Sequence, residues 1–122
     1  MRRTSAIWKP RNAPNGFRTP PAPGQNLPVR FLAFGASGTA SEDQAALLEQ
    51  MRTVPFDFMI HTGDIAYENG SREELQRTFF EIYADLITDY PIFPVTGNHD
   101  YRTEDAAPFR EAFELPKNGG PE

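Results

Sequence analysis

The stretch DFMIHTGDIAYENG, residues 57–70, decides how the chain is read. It opens with a short apolar run, Phe58-Met59-Ile60, and turns at Gly63-Asp64. An apolar run of that length, bounded by turn residues, reads as a buried strand rather than a helix. Two further stretches share the form. VRFLAFGASG (29–38) passes from an apolar run into Gly35-Ala36, and PIFPVTGNHD (91–100) passes into Gly97-Asn98. Each strand therefore finishes in a glycine and one further residue. Asp64 and Asn98 offer an oxygen there, whereas Ala36 offers a methyl group.

The segments between the strands read as helices. Ser41-Glu42-Asp43-Gln44 is a capping box ahead of an apolar face of Ala45, Leu47, Leu48 and Met51, and Pro55 stops that helix. Ser71-Arg72-Glu73-Glu74 is a second box. One continuous helix is expected after it, through Leu75, Phe79, Ile82, Tyr83, Leu86 and Ile87, ending at Pro91. Pro94 marks its strand as irregular or at an edge. Pro108 to Leu115 reads as a short helix with Pro108 in its first turn. The order strand, helix, strand, helix, strand gives α/β architecture, with parallel strands and right-handed crossovers. Ligands of such a sheet bind beyond the carboxyl ends of its strands. Residues 36, 64 and 98 are thus expected around one crevice.

Residues 1–28 read as an extended Pro-rich linker, because proline lacks an amide donor and restricts its predecessor. Six of the 12 prolines fall there. The chain's 122 residues allow one small domain, here 29–122. A net charge of -5 argues against nucleic acid, whose binders need a basic face. Without cysteine, thiolate zinc sites, cysteine nucleophiles and disulfides are excluded. No apolar stretch approaches a membrane span, and the N-terminus lacks the apolar core of a signal peptide. The expectation is no membrane partner and, as the chain stands, a cytoplasmic location.

The turns carry the chemistry. Asp64 and Tyr67 lie three residues apart in a tight turn, so carboxylate and phenol oxygens can reach one hard cation. The plainer alternative is a turn cap and a packed aromatic ring. Asn98 offers an amide oxygen, and His99 can be a ligand, a proton donor or a phosphate contact. Asp100 can orient His99 or brace the turn. No G-x-x-x-x-G-K-[ST] loop is present. Asp64 also lacks the second aspartate two residues on that a phosphoaspartate mechanism would use.

Gly63-Asp64-Ile65-Ala66-Tyr67 and Gly97-Asn98-His99-Asp100 resemble the second and third motifs of the calcineurin-like metallophosphoesterases. The tyrosine three residues after the aspartate resembles the purple acid phosphatase branch. The resemblance covers about residues 29–122, as the N-terminal half of the catalytic domain. NGFRTPPAPG further resembles the last strand and linker of the fibronectin-like domain that precedes it in that branch.

The resemblance implies a four-layer α/β/β/α fold, of which this chain is the incomplete first half. It implies a phosphate ester substrate and two metal ions, iron with zinc, manganese or a second iron. Two such ions clamp the attacking and leaving oxygens. Asp64 would bridge them, Tyr67 would bind iron(III), Asn98 would bind the second metal, and His99 would contact the phosphate and assist the leaving group. Asp100 is expected to support these ligands from behind, and His61, inside the second strand, to pack or to support them rather than to bind metal. The family's first motif is Gly-Asp-x-Gly, but here it reads Gly35-Ala36-Ser37-Gly38, so Ala36 marks a lost ligand position. The later histidine ligands are also missing. At most one weakly bound metal is expected, with no activity in the chain as given. The alternative reading is a non-enzymatic module that binds a phosphate ester or a protein. The family's members are often exported. A sheet face lacking its second half would forgo about 1.5–3 kcal/mol for each large apolar side chain left bare. That favours marginal folding or self-association through the face.

Overall fold

The computed structural model describes residues 20–115 and Lys117. Most of the Pro-rich stretch, including NGFR of the possible upstream strand, lies outside them. Residues 20–30 run without regular structure apart from a turn at Pro23-Gly24. Three strands follow: β1 (Phe31–Phe34), β2 (Phe58–His61) and β3 (Ile92–Pro94). They form one parallel sheet in the order β1-β2-β3. Phe31 pairs with Phe58, and His61 with both Phe34 and Pro94. Pro94 ends an edge strand, where a missing amide donor is tolerated.

Helix α1 (Glu42–Met51) fills the first crossover. Its cap differs from the expected box. Ser41 accepts from the Gln44 amide at 3.4 Å, but the Gln44 side chain reaches back to Ala40 N at 2.7 Å. The box at Ser71 is complete, and Glu74 also accepts from the amides of Glu68 and Asn69.

The expected single helix after Ser71 is in three pieces. These are α2 (Arg72–Leu75), a π-turn (Gln76–Phe80) and α3 (Ala84–Asp89). Helical spacing in the sequence was right, but continuity was not, because side chains claim the backbone there. Gln44 Nε2 donates to the Thr78 carbonyl at 2.7 Å, and the Thr78 hydroxyl donates to the Glu74 carbonyl at 2.7 Å. The Glu81 amide then bonds the Gln76 carbonyl, five residues back. Helix α4 (Ala107–Ala112) follows two short 3₁₀ turns and stops before the expected Leu115, with Pro108 in its first turn.

The core lies on one face of the sheet. Met59, Phe79, Tyr83, Leu86 and Phe109 are buried there, and Leu32, Phe34 and Ile92 pack against them. On the opposite face Phe31 is 55% exposed, Phe93 50% and Val95 54%. Phe58 joins Phe31 and Phe93 into one aromatic row, with centroids 5.4 and 5.6 Å apart.

A buried polar chain ties the turn after β1 to this core. The Gly63 amide donates to His61 Nδ1 at 3.2 Å, so the ring proton of neutral His61 sits on Nε2. Nε2 then donates to Ser37 Oγ at 3.1 Å. The Tyr83 hydroxyl donates to the same oxygen at 3.3 Å, and Gln44 Nε2 donates to Tyr83 at 3.1 Å.

Burial lowers the His61 pKa to about 4, against a smaller upward pull from the Asp64 charge. An unfolded histidine takes its proton near pH 6.5. Between those values the unfolded chain binds more protons, so stability falls as pH drops through the window, by up to about 3 kcal/mol. Urea unfolding at stepped pH from 7 to 4 checks this. His61→Gln is expected to flatten the slope, and an unchanged slope contradicts the assignment.

Candidate functional site

Ala36, Asp64 and Asn98 leave the carboxyl ends of neighbouring parallel strands, and backbone contacts join their turns. The Ala36 amide donates to the Gly63 carbonyl at 2.9 Å, and the Tyr67 amide to the Gly38 carbonyl at 2.8 Å. The His99 amide donates to Asp64 Oδ1 at 2.9 Å. Gly97 has to be glycine for this approach, since a Cβ there would stand 2.1 Å from Asp64 Oδ1.

Asp100 holds the second and third turns in register. It is buried, and it accepts from Ile65 N at 3.0 Å, Ala66 N at 3.2 Å and Gly97 N at 2.8 Å. Of the two roles open to it in sequence, it takes the bracing one. His99 is oriented instead by a backbone group that no side chain announces. Its Nδ1 lies 2.7 Å from the Glu68 carbonyl oxygen. A carbonyl only accepts, so Nδ1 carries the proton and Nε2 is left for other work.

Asp64 and Tyr67 come together as their spacing suggested. The Tyr67 hydroxyl donates to Asp64 Oδ2 at 3.0 Å. Burial raises the Tyr67 pKa, and the hydrogen bond to Asp64 and the charges of Asp64, Asp100 and Glu68 raise it further. The phenol therefore keeps its proton. The Tyr67 and His99 rings pack with centroids 4.4 Å apart. Asn98 is exposed in the turn that follows β3. His61 is buried on the core side of β2, edge-on to Phe34 and Phe79.

The donor set can be tested against a metal pair. Neighbouring oxygen ligands of an octahedral ion, each at about 2.1 Å, lie about 3 Å apart. The Asp64–Tyr67 separation of 3.0 Å fits one such edge. Yet no group of three or more His, Asp or Glu side chains that could hold an ion forms among the described residues. Asp64 and Tyr67 thus supply part of one coordination shell.

Ala36 has φ 51°, and Asp64, its counterpart one strand over, has φ 54°. Both backbones are left-handed. That conformation suits Asp or Asn better than alanine, whose Cβ crowds the following carbonyl.

The Calcineurin-like phosphoesterase family model matches residues 30–121. A nucleotide pyrophosphatase/phosphodiesterase of Hordeum vulgare is 27% identical over 131 aligned positions, covering 95% of this chain and 33% of the relative. Purple acid phosphatase 4 of Arabidopsis thaliana is 33% identical over 92 residues, covering 66% of this chain and 26% of the relative. Purple acid phosphatase 3 of the same plant is 36% identical over 83 residues, covering 61% and 23%. The chain thus spans about a quarter to a third of the length of these curated relatives. No solved structure gives a significant match.

The left-handed alanine carries a stability cost. Ala36→Gly is expected to stabilise the chain by about 1 kcal/mol, because glycine adopts that backbone freely. Urea midpoints of the two proteins measure it. A destabilised glycine variant would show that Ala36 is not strained.

Proposed function

This chain belongs to the calcineurin-like phosphoesterase family, whose members act on phosphate esters with the help of metals, and from that membership we propose that it carries one side of a phosphoric ester hydrolase site of the purple acid phosphatase kind. In this reading Asp64, Tyr67 and Asn98 are metal-facing oxygens, and His99, through Nε2, is the group that meets the phosphate. The observation that supports it best is the Tyr67 hydroxyl 3.0 Å from Asp64, at the carboxyl end of a central parallel strand. The Hordeum relative's name extends the substrate range to nucleotide pyrophosphates and phosphodiesters.

The donor set limits what this chain does by itself. Ala36 puts a methyl group where the family places a carboxylate, and the remaining oxygens do not hold two ions. We therefore read the chain alone as lacking the metal pair and as inactive in hydrolysis. Iron, manganese and zinc are the ions to try. Ala36 also favours a second reading, a phosphate-ester-binding module without catalysis. Its binding would survive a chelator.

The test is metal content after loading with iron, manganese or zinc, together with p-nitrophenyl phosphate hydrolysis. At most one ion per chain is expected, lost in Asp64→Asn, with turnover no faster than buffer. Two retained ions, or hydrolysis abolished by chelator, would overturn the inactive reading.

We also propose that the sheet face bearing the exposed Phe31 and Phe93, with half-buried Phe58 between them, is a self-association surface. No helix among the described residues is long and apolar enough to cross a membrane. Sedimentation velocity is expected to show concentration-dependent association that Phe93→Asp weakens. A wild-type chain that stays monomeric at high concentration sinks this idea.

A further inference from the structure

Glu68 meets the His99 imidazole and the Arg102 guanidinium at once. Its carbonyl oxygen lies 2.7 Å from His99 Nδ1 and 3.3 Å from Arg102 Nη1. Its side-chain Oε2 lies 3.7 Å from the same His99 nitrogen and 3.5 Å from the same Arg102 nitrogen. One carboxylate oxygen is thus seated between an imidazole and a guanidinium at the rim of the crevice. Little packing holds it there, since the Glu68 side chain is 73% exposed and that of Arg102 46%.

Resting on the site reading above, we propose that Arg102 and His99 form an anion clamp, and that the Glu68 carboxylate is an internal anion which the ligand displaces. The ligand class is a phosphate ester bearing a second anionic group next to the scissile phosphoryl, as in diphosphates and nucleotides.

Charge and geometry favour that class. His99 Nδ1 and Arg102 Nη1 both reach one carbonyl oxygen, so the two side chains stand within the span of two adjacent phosphoryl groups, with His99 meeting the scissile one at Nε2. Guanidinium is permanently charged and presents a planar fork of donors that matches phosphate oxygens. Asp64 lies on the inner side of His99, bonded to its amide. Its negative charge repels a second anionic group, which is then drawn outward to Arg102. A monoester of a neutral alcohol has nothing to place there.

The experiment is calorimetric titration of the chain with inorganic pyrophosphate and with orthophosphate, in buffer containing chelator. Wild type is expected to prefer pyrophosphate by about tenfold, the scale of one charge-assisted hydrogen bond. Arg102→Gln should lose that preference while its orthophosphate affinity stays within about twofold, and Arg102→Lys should keep part of it. Glu68→Gln should bind pyrophosphate more tightly, because it removes the competing carboxylate. A purely structural role for the Glu68–Arg102 pair predicts the opposite sign.

Equal loss of both anions in Arg102→Gln, weaker binding in Glu68→Gln, or no pyrophosphate binding by wild type would each overturn the clamp. Metal content and hydrolysis are measured without reference to Arg102. Failure of the hydrolase reading is therefore distinguishable from failure of the clamp.

Discussion

The arrangement of the crevice depends on one buried carboxylate. Asp100 accepts from the amides of Ile65, Ala66 and Gly97, which belong to two different turns. Those amides point away from regular structure and would otherwise be orphaned inside the protein, at about 1–3 kcal/mol each. A charge buried without such donors would cost more still. The two needs are met by one arrangement, and that arrangement sets Asp64 beside the His99 amide. The site is therefore held by main-chain groups fixed from beneath, not by contacts among the reactive side chains alone.

A second buried system does the same for the first turn. His61, Ser37, Tyr83 and Gln44 form a hydrogen-bonded chain from the sheet to the helices. Gln44 also takes the Thr78 carbonyl, and the helix gives way there into a π-turn. Helical regularity has been exchanged for the anchoring of a loop. The loop so anchored carries Ala36, in the same left-handed backbone as Asp64. Residues 36 and 64 share a positive φ, 51° and 54°, but carry different side chains.

Much of this was legible in the sequence. The three short apolar runs ending in glycine located the strands, and the crossovers made them parallel. Asp64 and Tyr67 were paired by spacing, and the bracing role was one of two open to Asp100. The break in the second helix was not legible, because it depends on Gln44, a residue 34 positions away from Thr78. The orientation of His99 was missed for a related reason. Its partner is the backbone carbonyl of Glu68, which every residue type possesses, so no side chain could have announced it. Arg102 had a faint signal, a basic residue three places after His99, but nothing in the sequence put Glu68 between the two.

The parallel sheet has a kinetic consequence. Each strand reaches its neighbour only across a long crossover, and the His99–Asp64 contact joins residues 35 apart. Local hairpins cannot nucleate such a sheet, and loop closure has to precede any gain from pairing. Asp64, Tyr67 and His99 gather only when both crossovers have closed, so the crevice is assembled late. During that interval Phe31, Phe58 and Phe93 stand uncovered on strands whose edges are still unpaired. The folding chain is then at its most prone to join a neighbour, and slow folding and aggregation are two outcomes of the same topology.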